Sequence, residues 1–216
     1  MRNLIISITA AASLLLTACG ENVPHTRAVY MLLDTSGTYA KEISKAQSIC
    51  NFLLGTLQSG DSLGLARIDS GSFSEKDIIA KVSFDDRPSY ANQQKRAFRQ
   101  KLDRFVGSVR SSKHTDITGG MLQAIEWLNE TGAGHKFILV FSDFEEDVRP
   151  GYVRDFAIDV SGINVVALNV TKLSSDQIDP RVYLERLQKW QTRVETGGGT
   201  WKVINDLDRL SKMLSD

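Results

Sequence analysis

Three short stretches of the sequence carry oxygen donors in an order that suits a hard cation. Asp34-Thr35-Ser36-Gly37-Thr38 offers one carboxylate and two hydroxyls at alternate positions, with a glycine that permits a turn. Thr115 stands directly before Asp116-Ile117-Thr118-Gly119-Gly120, where a helix must begin, and Asp143 closes the most apolar strand-like run in the chain. Donors of this kind suit Mg2+ or Mn2+ rather than zinc, and no Cys/His cluster argues otherwise. Mg2+ takes about six oxygens at roughly 2.1 Å, so with two carboxylates among these side chains it retains waters or accepts an oxygen from outside. Each piece alone has an ordinary reading. Asp, Ser and Thr gather in turns through local hydrogen bonds to the backbone. Thr115 suits a helix N-cap, with Asp116 supporting the first turn, and Asp143 suits a cap or a turn. The case for a site is that all of them stand at strand ends or helix starts of one sheet.

The elements that must position them alternate along the chain. Residues 27–33 form an apolar run ending at Asp34, as expected of a strand buried on both faces. An amphipathic helix is predicted over 39–57, then strands over 62–68 and 77–84 joined by a Gly/Ser turn, hence an antiparallel hairpin at one edge. Helices are predicted over 90–105 and 116–129, a strand over 135–141, a short helix over 152–159 and a strand over 163–170. A helix over 181–193, a strand over 200–204 and a helix over 207–214 complete the series. The pattern predicts an α/β fold with a mostly parallel central sheet, one antiparallel edge strand and helices on both faces. Such sheets bind ligands at the carboxyl ends of their strands.

Composition narrows the function classes. The chain has 216 residues, with 26 basic against 26 acidic side chains and 42% hydrophobic residues, which excludes collagen-like, disordered and coiled-coil classes. Zero formal charge gives no reason to expect nucleic acid as a partner. Residues 1–18 read as a secretory signal: a positive start, a thirteen-residue apolar stretch from Leu4 to Leu16, then small residues. The apolar stretch is short of a membrane span. Leu16-Thr17-Ala18-Cys19-Gly20 resembles the bacterial lipobox, which implies lipidation of Cys19 and a membrane anchor. Gly20 is not the Asp that typically retains lipoproteins at the inner membrane, so the resemblance implies the periplasmic face of the outer membrane. Residues 19–26 would be a short linker and 27–216 one monomeric domain. With Cys19 lipidated, Cys50 has no disulfide partner within the chain; it sits on the apolar stripe of its helix and reads as a core thiol.

Taken together, the three oxygen-donor stretches resemble the von Willebrand factor A domain family. Asp34-Thr35-Ser36-Gly37-Thr38 is similar to its D-x-S-x-S metal motif, Thr115 to the single Thr of the next loop, and Asp143 in Phe141-Ser142-Asp143 to the acidic residue of the last. The resemblance implies a Rossmann-like fold and a metal-ion-dependent adhesion site formed by Asp34, Ser36, Thr38, Thr115 and Asp143. It also implies a Glu or Asp of a partner protein as the last ligand. Thr38 departs from the usual Ser, which keeps the hydroxyl but adds a methyl group.

Other residues carry less. Glu145, Glu146 and Asp147 are expected to form a solvated loop, and His114 and His135 to be structural. Gly197-Gly198-Gly199 reads as a flexible turn, because it precedes a strand rather than opening a helix. Arg96, Arg99, Lys101, Arg104 and Arg110 read as a solvated basic helix face. Leu184, Leu187, Trp190 and Val194 read as a core stripe. The expected function is non-enzymatic: a lipid-anchored module that captures an acidic side chain through Mg2+ or Mn2+. Two alternatives stand beside it. The Asp34 motif also resembles the D-x-D-x-T of haloacid-dehalogenase-like Mg-dependent phosphohydrolases, with Ser36 in place of the second Asp. A scaffold lipoprotein with a degenerate metal site is the other.

Overall fold

The computed structural model describes residues 24–37, 42–168 and 180–215. Its centre is β1 (Arg27–Asp34), an eight-residue strand buried from Ala28 onward because both faces are covered. Alternation sends Ala28, Tyr30 and Leu32 to one face and Val29, Met31 and Leu33 to the other, and each set enters a separate hydrophobic core. β2 (Ser62–Ile68) and β4 (His135–Phe141) flank β1 in parallel. β5 (Ile163–Leu168) and β6 (Thr200–Ile204) continue in parallel beyond β4. β3 (Ile78–Ser83) runs antiparallel to β2 at the opposite edge, so the order is β3-β2-β1-β4-β5-β6.

Helices close both faces. α1 (Ile43–Thr56), α2 (Pro88–Ser108) and the final helix α5 (Leu207–Ser215) bury Cys50, Leu53, Phe98, Leu102 and Leu210 against the Val29 face. α3 (Ile117–Glu130) and α4 (Pro180–Thr196) bury Met121, Leu128, Trp190 and Val194 against the Tyr30 face. Cys50 is buried in the first core and burial pushes its thiol up to about 12, so it stays protonated and apolar in behaviour. No helix among the described residues is long and apolar enough to cross a membrane.

The predicted order of strands and helices holds, with differences that have physical causes. Residues 152–159 form no helix. The carbonyls of Arg154 and Phe156 accept hydrogen bonds from the Arg193 guanidinium at 2.6 and 3.0 Å, which replaces the helical ladder, while Ile158 and Val160 are buried at alternate positions. Leu184 is 62% exposed rather than part of the core stripe, because α4 turns Trp190, Val194 and the partly buried Tyr183 and Leu187 to the sheet instead. The triple glycine is a close-packing point rather than a free turn: a Cβ at Gly197 would collide with the Ile158 carbonyl, and Gly198 has a φ of +80°. The predicted helix start at 39 and strand end at 170 fall outside the described residues.

One close approach at the sheet centre generates a test. Gly64 of β2 lies in register with Tyr30 of β1, and a Cβ there would clash with Cδ2 of the Tyr30 ring. Gly64→Ala is expected to cost about 1–3 kcal/mol in urea unfolding. Gly107→Ala, in α2 with nothing near its missing Cβ, should instead stabilise by roughly 0.5–1 kcal/mol.

Candidate functional site

β1, β2 and β4 all end at one edge of the sheet, and that edge gathers the predicted donors. Asp34 is the last residue of β1 and only 1% exposed. Its Oδ1 accepts the Ser36 backbone N–H at 2.8 Å, and its Oδ2 accepts the Ser142 hydroxyl at 2.7 Å. Among the described residues no ion pair reaches this carboxylate, and burial raises its proton affinity against the lowering effect of the two serines. The turn that follows is stitched in place. Thr35 donates its hydroxyl to the Ile68 carbonyl at 2.9 Å and accepts the Ser112 N–H at 2.8 Å, which bridges Ser36 to Ser112. Thr38 lies outside the described residues, as does Cys19.

Asp143 is the second buried carboxylate. It follows Ser142 at the end of β4 and is pushed up to about 6, chiefly by burial and further by the charge of Asp34, although the Glu145 N–H donates to its Oδ1 at 2.9 Å. Arg186 of α4 holds the same loop from behind, donating Nε–H to the Asp143 carbonyl at 2.9 Å and lying 3.5 Å from Glu145. The next residue, Phe144, has a φ of +63°. That strained conformation is fixed by the rings of Trp190 and Trp201, with centroids 5.7 and 5.2 Å away, and by the Trp190 indole N–H bonding to its carbonyl.

Thr115 is buried and held through its backbone, which exchanges two hydrogen bonds with Asp147 at 2.9 and 3.1 Å. The N-cap of α3 is Asp116 rather than Thr115: its Oδ1 accepts the Gly119 N–H at 2.8 Å, and only glycine at 119 leaves room for that carboxylate. This frees the Thr115 side chain from a capping role. Asp116 is fully buried and met by Arg154 in a two-pronged contact, both bonds 2.8 Å.

Several residues that sequence reasoning left without a role support this edge. Ser142 fixes Asp34, and its only sequence signal was its place beside Asp143. Arg154 and Arg193 sat in segments with no chemical pattern. Glu146 is not part of a solvated loop, as expected, but accepts the Thr118 N–H at 2.6 Å and lies 3.7 Å from Arg193; Asp147 pairs with His114 at 3.0 Å. Asp34 and Ser36 are thus joined by a hydrogen bond, Asp143 is near enough to feel the Asp34 charge and follows the Ser142 that bonds it, and Thr115 pairs through its backbone with Asp147 of the loop that Asp143 opens. No cluster of three or more His, Cys, Asp or Glu suited to a metal occurs among the described residues. The donor set for a cation here would be two carboxylates with hydroxyls, which fits a hard ion: Asp34 has no cationic partner among the described residues and Asp143 feels only the charge of Arg186, so a divalent cation would supply the missing countercharge.

The raised carboxylates set the acid response. An acid whose pKa is higher in the folded state than the ordinary 3.8 makes the folded state bind the extra proton, so stability rises as pH falls from above 6 towards the unfolded value. In chelator, the protein is expected to melt several degrees higher near pH 5 than near pH 7.5, and Asp143→Asn should flatten that dependence in a calorimetric pH series. Asp69 and Asp159, whose acids are lowered, act in the opposite sense but at lower pH.

Comparison with known proteins gives a fold. No protein-family model matches the sequence, and no curated protein matches it. Among solved structures, the chain is similar to the pilus adhesin SpaC of Lactobacillus rhamnosus GG in its open conformation, at 15% identity and a TM-score of 0.55, covering 90% of this chain and 30% of that one. It is similar to a von Willebrand factor type A protein from Catenulispora acidiphila at 13% identity and a TM-score of 0.54, covering 88% and 41%. It is also similar to the conserved hypothetical protein BatB of Bacteroides thetaiotaomicron at 15% identity and a TM-score of 0.51, covering 88% and 95%. The chain therefore spans under half the length of the first two. At such identities the likeness is one of architecture, and the architecture is the Rossmann-like α/β fold of von Willebrand factor A domains.

Proposed function

We propose that this chain is a membrane-anchored binding module whose strand-end loops hold Mg2+ or Mn2+ and thereby capture an acidic side chain of another protein. A domain of this fold is suited to protein interaction, and one observation carries the rest of the reading. Asp34 and Asp143 are buried side by side with hydrogen-bond support but no cationic partner for Asp34 among the described residues. The residues that would hold the ion are Asp34, Ser36, Thr38, Thr115 and Asp143. The ion would supply a positive centre with a position open to a carboxylate from outside. The chain's own part is to keep the donors in place and dry: Ser142 and the Ser36 N–H orient Asp34, Arg186 and Phe144 fix the Asp143 loop, and Asp147 holds Thr115.

The anchor belongs to the same reading. Lipidation at Cys19 and the linker over 19–26 would join the domain at Arg27, the opposite end of β1 from Asp34. Eight residues at about 3.3 Å each separate the two edges by roughly 25 Å, so the binding edge would face away from the membrane that holds it, at the periplasmic face of the outer membrane. Nothing in the geometry favours the phosphohydrolase alternative, since position 36 offers a hydroxyl where that chemistry uses a second carboxylate. An aryl phosphate should not be turned over.

The direct test is thermal melting with and without metal. Mg2+ or Mn2+ at about a hundredfold excess over its dissociation constant is expected to raise the melting temperature by roughly 5–10 °C. Asp34→Asn, whose amide oxygen can still accept the Ser36 N–H while its NH2 group donates to the Ser142 hydroxyl oxygen, should remain folded and lose the shift, while Thr38→Ser should keep it. A wild-type protein that melts identically with metal and with chelator would sink the reading and leave the scaffold alternative. Capture from solubilised envelope by wild type in Mg2+, lost with chelator and with Asp34→Asn, would identify the partner.

A further inference from the structure

Away from the strand-end loops, a cavity of about 310 Å3 opens on the Tyr30 face between α3 and the edge formed by β3 and its preceding turn, Glu75–Asp77. Three aromatic side chains, Tyr30, Phe73 and Trp127, stand in its walls among polar ones. Tyr30 lies across Gly64, meets Trp127 with ring centroids 5.4 Å apart, and donates its hydroxyl to Gln123 Oε1 at 3.2 Å, so the floor is fixed. Phe73 also lines the cavity. It is 53% exposed and has a φ of +66°, a left-handed conformation that is uncommon for a bulky residue.

The rim is acidic and poorly compensated. Glu126 and Glu130 stand four residues apart at the carboxyl end of α3, where like charges repel each other and carboxylates oppose the helix dipole. Neither makes an ion pair among the described residues. Lys81, the basic side chain lining the cavity, is taken by Glu75 at 3.7 Å. Behind the wall, Asp77 is 1% exposed; Arg67 pairs with its Oδ1 at 3.0 Å, while its Oδ2 has no hydrogen-bond partner. Burial first, then the charges of Glu75 and Asp77, push the Tyr30 phenol up, so the negative field reaches the cavity floor.

These features share one remedy. We propose that this cavity binds an organic cation, a guanidinium or alkylammonium group, seated against the Trp127 and Phe73 rings with Glu126 and Glu130 as its ion-pair partners. The rings attract a weakly hydrated cation through their faces, and carboxylates at the rim supply charge-assisted hydrogen bonds. An inorganic ion fits less well, because no cluster of three metal-binding side chains occurs among the described residues and the rings offer it no ligand. The proposal is independent of the metal reading.

Isothermal titration calorimetry of the purified full chain, in metal-free buffer at low ionic strength, tests it with three probes. These are tetramethylammonium chloride, Nα-acetyl-arginine amide and an acetylated Gly-Arg-Gly-Lys peptide. Saturable binding with a roughly millimolar dissociation constant is expected for at least one probe. Glu126→Gln/Glu130→Gln and Phe73→Ala, both changes at exposed positions, should each weaken it about tenfold with unchanged far-UV circular dichroism. A peptide that binds at least about tenfold more tightly than the amide identifies a protein-borne cation; equal affinities identify a free small amine. Absence of saturation with every probe, or equal binding by wild type and the double glutamine variant, overturns the proposal.

Discussion

A carboxylate at the end of the most buried strand is the constraint on which the rest of the candidate site depends. β1 is covered on both faces, so Asp34 is 1% exposed and has no counterion among the described residues to stabilise its charge. Burial of an isolated carboxylate is costly. The protein offsets part of that cost with one backbone N–H, from Ser36, and one hydroxyl, from Ser142. Those two bonds dictate the turn after β1 and tie it to the end of β4. Because Asp143 follows Ser142 in sequence, the same tie brings the second carboxylate alongside the first and raises its proton affinity in turn.

Holding such an edge open requires rigid surroundings, and arginines provide them. Arg154 neutralises the buried Asp116 that caps α3, and its carbonyl is held by Arg193, which also reaches Thr118 and Glu146. The loop after β4, the start of α3 and the segment over 152–159 are thereby joined by one ionic network. Removal of either partner from the Asp116 pair would leave a charge buried without compensation, so the network is costly to break even where its net contribution is small. Packing adds a second constraint at Phe144, whose ring is enclosed by Trp190 and Trp201 in a conformation that only a crowded environment maintains.

The two ends of the sheet divide the work. The carboxyl edge gathers donors and loops, whereas the amino edge of β1 carries Arg27, bonded to Asp61 and to the Leu214 carbonyl of α5. Chain entry is therefore fixed at the edge farthest from the candidate site. The cavity under α3 is distinct from both, and its acidic rim departs from the balanced charge of the chain as a whole.

Periodicity fixed most of the architecture. Runs such as 27–33 and 135–141 are apolar on both faces and can be satisfied only inside a covered parallel sheet, and the amphipathic stretch over 43–56 has one apolar stripe that needs such a sheet. The candidate donors were equally legible, because Asp34, Ser36 and Asp143 stand at or just beyond strand ends. Tertiary structure decided what depends on contacts between distant segments. The pattern over 152–159 looks helical only until Arg193, some forty residues later, takes its carbonyls. Likewise Leu184 fits a helical stripe, yet its position on α4 faces away from the sheet. Whether Thr115 or Asp116 caps α3 turned on space at Gly119 and a guanidinium from Arg154. Local pattern records which side chains prefer burial and which backbone each residue favours; the pairing of buried charges depends on geometry that no single stretch of sequence contains.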